Sequence, residues 1–150
     1  MRMHVPPHGR KITEYLSAEK PTVLVIDDDP DIVASLARVL TTAGYNSMCC
    51  HDYDGAIDSV RDNTPDLIIS DINIAGQSGL RLCETIKRDM GMGQIPVIFL
   101  SGAQIPDIIR RAHEAGGAYY LRKPFDPQVL LELVDKALWM PHLVDAVARR

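Results

Sequence analysis

The chain has 150 residues, 46% hydrophobic and 24% charged, with a net charge of -4. That is enough for one domain with its own core, and the acidic balance argues against nucleic acid as a direct partner. Cys49, Cys50 and Cys83 fit neither a disulfide framework nor a zinc site, which points to a reducing cytoplasm, and no apolar run reaches the roughly 18 residues a membrane span needs.

Residues 1–20 read as an N-terminal extension. Pro6, Pro7 and Gly9 break regularity there, no apolar stretch makes a signal peptide, and Ile12, Tyr15 and Leu16 suit a short amphipathic turn. The domain is placed at residues 21–140. It opens on residues 22–26, a β-branched apolar run of the kind that forms a strand buried on both faces. Asp29-Pro30 then starts a helix, with Asp29 as its N-cap, and Gly44 closes it. Residues 45–50 are a weaker strand, residues 52–63 a helix, and residues 67–70 a strand. Residues 71–78 read as a loop and residues 79–90 as a helix. Residues 95–100 are a fourth strand, 106–115 a helix stopped by Gly116-Gly117, and 118–121 a fifth strand. Asp126 caps a last helix running to about residue 138. The predicted fold is α/β: a doubly wound, five-stranded parallel sheet with helices on both faces. Residues 141–150 form a tail. Leu138, Trp139, Met140, Leu143, Val144 and Val147 make its start and length apolar, suited to packing on the domain or to a homodimer or partner contact.

The chemistry gathers where strands end. The first ends in Asp27-Asp28, the third in Asp71, the fourth in Ser101, and Lys123 lies just past the fifth. Open parallel sheets bind ligands at that edge. Carboxylates about 5 Å apart repel by roughly 3 kcal/mol per pair at an effective dielectric near 20, so protons or a cation must answer them. Oxygen donors without Cys or His favour a hard ion, Mg²⁺ first and Mn²⁺ second. Beside such an ion, Asp71 can act as a nucleophile toward phosphorus, with Lys123 and the Ser101 hydroxyl holding phosphoryl oxygens. The five histidines, His4, His8, His51, His113 and His142, read as surface residues away from the strand ends, and Cys49-Cys50 as strand packing.

Five segments in order, residues 23–30, 65–71, 76–80, 96–102 and 120–125, make the chain resemble the receiver domain of two-component response regulators from about Pro21 to Leu138. The resemblance implies a flavodoxin-like strand order 2-1-3-4-5. It implies Asp71 as phosphoacceptor, with Mg²⁺ held by Asp27, Asp28, Asp71 and the backbone carbonyl of Asn73. Ser101 takes the switch hydroxyl's place, Lys123 the family's lysine and Tyr120 the switching aromatic, and Lys123-Pro124 the place of a cis bond. The donor would be a phosphohistidine on a sensor histidine kinase or phosphotransfer protein, and the output a changed surface for a downstream protein. Such a domain is a phosphoacceptor switch that catalyses only its own phosphorylation and dephosphorylation. Two positions depart from the pattern. Ala75 replaces a common Pro, which should leave that loop less stiff, and Gly102 replaces a common Ala. Ala103 and Asn73 stand where the family tunes self-hydrolysis.

As a whole protein, the chain is expected to signal alone, through protein–protein contact and without a membrane. As a fragment, it would precede an output domain, DNA-binding first of all. A non-phosphorylated interaction module is the further alternative, against which the intact Asp, Ser and Lys set argues. A phosphatase of the haloacid-dehalogenase kind would need an Asp where the chain has Asn73.

Overall fold

The computed structural model describes residues 20–102 and 106–140. The N-terminal extension, Ala103, His4, His8, His142 and the tail from residue 141 lie outside the described residues. β1 (Thr22–Ile26) leads into α1 (Pro30–Thr42), β2 (Asn46–Cys50), α2 (Tyr53–Asp62) and β3 (Leu67–Asp71). A short ribbon, β4 (Asn73–Ile74) and β5 (Gln77–Ser78), precedes α3 (Gly79–Glu84), which runs on into a π-helical turn, Thr85–Asp89. Then come β6 (Val97–Ser101), α4 (Ile108–Glu114), β7 (Tyr119–Arg122) and α5 (Pro127–Trp139).

The five main strands are parallel in the order β2-β1-β3-β6-β7, the doubly wound arrangement expected. Alternation along each strand divides the core in two. Val23 and Val25 join Ile69 and Leu100 against Leu36 and Leu40 of α1 and Leu130 and Val134 of α5. Leu24 and Ile26 join Ile68 and Phe99 against Val60 of α2, Leu82 of α3 and Ala112 of α4. Central strands covered on both sides carry unbroken apolar stretches, here residues 23–26, 67–69 and 97–100, which is why β1, β3 and β6 were readable in the sequence.

Local chemistry sets the helix starts. Asp29, Asp52, Ser78 and Asp126 each accept a hydrogen bond from a backbone N–H of the first turn they cap. At the sheet edge opposite the strand-end carboxylates, the Tyr45 hydroxyl donates to Asp135 and accepts from the Trp139 indole N–H at 3.0 Å, so α5 is tied to the approach to β2. Leu138 and Trp139 are buried in their own domain, as one of the two readings of the apolar C-terminus required, while Met140 is exposed.

Three segments differ from expectation. The helix expected over 79–90 changes to π geometry at Thr85; both geometries turn Leu82 and Ile86 inward, so apolar spacing could not separate them. The expected loop 71–78 contains the β4–β5 ribbon, whose strands are too short to show a period. The helix expected from 106 starts at Ile108, because Asp107 is left-handed with φ 61°. Smaller shifts of one or two residues move the starts of β2, β6 and β7.

Tyr45→Phe removes the acceptor of the Trp139 N–H and the donor to Asp135. It is expected to destabilise the fold by about 1–3 kcal/mol, seen as a lower urea midpoint with an unchanged slope.

Candidate functional site

β1 and β3 are neighbours in register, with Ile26 opposite Ser70, so the residues that follow them emerge side by side. Asp27, Asp28 and Asp71 each place a carboxylate oxygen within 4.8 Å of the others. Asp27 is buried and Asp28 is exposed. β3 also pairs with β6, where Asp71 faces Leu100, and Ser101 follows, buried at the same edge. Ser101 pairs with Arg122, and its carbonyl accepts from the Lys123 N–H at 2.9 Å. That anchors the lysine backbone beside the cluster. The Lys123-Pro124 bond is cis, as expected.

Lys123 reaches back across the edge. Its ammonium donates to Asp27 Oδ2 at 2.6 Å and to Asp71 Oδ2 at 3.0 Å, with all three side chains largely withdrawn from solvent. Burial pushes the Asp27 carboxyl above the usual carboxylate range, and the hydrogen bonds from Lys123 and the Asp29 N–H offset part of that. Burial acts on Lys123 in the opposite sense. Its hydrogen bonds to Asp27 and Asp71, together with the negative charges of those two acids, outweigh burial and hold its pKa above the ordinary lysine value, so it is a cation at neutral pH. Backbone donors fix three more of the carboxylate oxygens. Asp29 N–H donates to Asp27 Oδ1 at 2.9 Å, Asn73 N–H to Asp71 Oδ1 at 3.2 Å, and Ala75 N–H to Asp28 Oδ2 at 3.0 Å.

Three acids against one base leave the cluster short of positive charge. The ligand atoms are all carboxylate oxygens, the donor set of a hard divalent ion, and they already converge; the residues present fit such an ion.

The other expected residues fall as follows. Asn73 is exposed, and its side-chain oxygen accepts from Gly76 N–H at 3.1 Å. Tyr120 lies on β7, three residues before Lys123. It pairs with Phe99, is half-buried, and lines a cavity of ≈ 270 Å³ with Ile109, Ala112 and His113. Asp29 caps α1, as expected, and is not among the clustered acids.

Two expectations need correction. His51 is exposed, yet it follows β2 directly and so does lie at a strand end; its Nδ1 is 3.3 Å from the Asp27 carbonyl, to which the ring N–H donates. Cys49 does not pack: alternation on an edge strand turns it to solvent while Cys50 enters the core beside Ser59. Sequence reasoning also missed why residue 79 is glycine. A Cβ there would sit 1.9 Å from the Asp71 carbonyl oxygen, and the Gly79 N–H donates to Ile72. A glycine eight residues after a strand-end acid was the available signal.

Fold and site together define a flavodoxin-like α/β domain with a lysine-bridged acidic cluster at its carboxyl edge. The family described as the response regulator receiver domain matches residues 23–135, and the chain belongs to that family. Among curated proteins it is 35% identical over 114 residues to the DNA-binding transcriptional regulator NtrC of Klebsiella pneumoniae, covering 76% of this chain and 24% of that protein. It is 30% identical over 112 residues to the DNA-binding response regulator MtrA of Mycolicibacterium smegmatis, covering 75% of this chain and 48% of that one. The matched region thus spans about a quarter of one of these relatives and about half of the other. Among solved structures, the chemotaxis response regulator CheY4 of Vibrio cholerae superposes with a TM-score of 0.73 at 25% identity, covering 79% of this chain and 99% of that one.

Gly79→Ala is expected to cost about 3 kcal/mol or more, since the clash is with backbone that no rotamer change relieves. Thermal or urea unfolding measures it; a cost under about 0.5 kcal/mol would show that the approach to Asp71 is not tight.

Proposed function

We propose that Asp71 accepts a phosphoryl group from a phosphohistidine on a sensor histidine kinase or histidine phosphotransfer protein. The observation that carries this reading is the single ammonium of Lys123, just past β7, bridging Asp27 and Asp71 at the ends of the neighbouring strands β1 and β3. An Asp71 carboxylate oxygen attacks phosphorus, a new O–P bond forms as the donor's N–P bond breaks, and the electron pair leaves with the donor imidazole. Lys123, already aimed at Asp71, meets the phosphoryl oxygens as charge builds. The Ser101 hydroxyl, buried at the neighbouring strand end, supplies a further donor.

Asp27, Asp28, Asp71 and the Asn73 carbonyl would hold Mg²⁺, with Mn²⁺ as a substitute. When bound, the ion neutralises charge on the acids and on the incoming phosphoryl group. Phosphorylation adds about -1.5 to -2 charge at this edge and draws on the Ser101 hydroxyl. Tyr120 borders the cavity on the β7–α4 side, where inward and outward ring positions would give two surfaces to a protein partner. A coupling of about 1–3 kcal/mol changes partner affinity by one to two orders of magnitude.

The chain is read as a cytoplasmic switch acting through protein–protein contact. Among the described residues, no helix is long and apolar enough to cross a membrane. A second reading, a receiver serving a DNA-binding output, is favoured by the similarity to two longer DNA-binding regulators, NtrC and MtrA.

Incubation with acetyl phosphate and Mg²⁺ is expected to add one phosphoryl mass per chain, with slow decay. Asp71→Asn should abolish it, and Lys123→Ala should slow labelling by about a hundredfold. Equal labelling of the Asp71→Asn chain would refute the reading, and continuous turnover of phosphate esters would favour a phosphatase.

A further inference from the structure

The three clustered acids are not held alike. Asp27 and Asp71 share Lys123, whereas Asp28 is exposed and its Oδ2 accepts from a backbone group, the N–H of Ala75, 47 residues away and at 3.0 Å. We infer that Ala75 is a positioning residue: its N–H aims the Asp28 carboxylate into the cluster, ready for a divalent cation. This rests on the reading of Asp27, Asp28 and Asp71 as an Mg²⁺ site.

The turn that delivers this N–H is specific. In the β4–β5 ribbon Asn73 faces Ser78 and Ile74 faces Gln77, leaving Ala75-Gly76 as a two-residue turn. Both turn residues have positive φ, 50° at Ala75 and 85° at Gly76, as a type I′ hairpin demands. Asn73 closes the turn from within, its side-chain oxygen accepting from the Gly76 N–H. Ala is a poor residue for that φ. Position 75 is the first residue of the turn, outside the ribbon's own ladder, so its N–H is available to Asp28. Proline could supply neither feature: its φ is fixed near -65° and it has no N–H. The Ala at 75 therefore does not simply loosen the loop; it lets the loop reach across to β1.

The hydrogen bond and the converged acids occur in one conformation. With Asp28 Oδ2 engaged by Ala75, the three carboxylates still bring ligand oxygens within 4.8 Å of one another. The contact thus orders the most exposed acid before the cation arrives, and its loss should weaken cation binding.

Two measurements test this. Calorimetric titration with Mg²⁺ alone compares the natural chain with Ala75→Gly and Ala75→Asn, which keep the N–H and suit positive φ, and with Ala75→Pro. Gly and Asn should bind within about twofold of the natural chain, and Pro about fivefold more weakly, the scale of one hydrogen bond. Metal-free amide hydrogen exchange then compares the Ala75 N–H in the natural chain and in Asp28→Ala, where it should exchange at least about tenfold faster. Equal affinity of the Pro and Gly variants, or equal Ala75 exchange in the natural and Asp28→Ala chains, would overturn the inference and leave the Mg²⁺ reading standing. No Mg²⁺ binding by the natural chain would overturn both.

Discussion

Everything at the carboxyl edge of this sheet depends on one ammonium group held between two carboxylates. Asp27 is almost fully withdrawn from water, a costly place for a charge unless it is paired and hydrogen-bonded. Lys123 supplies the pairing, and the same ammonium reaches Asp71 on the next strand. The pairing links β1, β3 and β7 through side chains where the backbone ladder has ended. Removing either kind of charge would leave the other uncompensated in a poorly solvated place.

The fold makes that meeting unavoidable. A doubly wound sheet sends the ends of β1 and β3 out together, and β6 and β7 carry Ser101 and Lys123 to the same edge. The two apolar layers keep the strands in register, so the site inherits its precision from core packing. Gly79 adds a further constraint, since the entry to α3 lies directly against the Asp71 carbonyl and admits no side chain.

Much of this was legible in the sequence because its causes are local. β1 could be bounded to the residue from an unbroken apolar run, and Asp29-Pro30 and Asp126-Pro127 announced their helices through capping chemistry. The acids and the lysine were found because each follows a strand. What escaped reading depends on contacts between distant segments or on geometry that leaves no period. The Ala75 N–H is invisible as a side chain, and its partner is Asp28, 47 residues away in the loop after β1. His51 was set aside although the strand before it was correctly ended at residue 50, because its contact is with the Asp27 backbone carbonyl, which side-chain chemistry does not reveal. The π turn at Thr85 keeps the same residues inward as an α-helix does.

The central claim is that acids from separate strands make one cation site under the control of Lys123. Backbone amide spectra recorded during a Mg²⁺ titration test it most directly. Asp27, Asp28, Asp71, Asn73 and Lys123 should shift together along one saturable curve with a single midpoint. Shifts confined to one strand end, or unsaturated drift spread over the acidic surface, would contradict it.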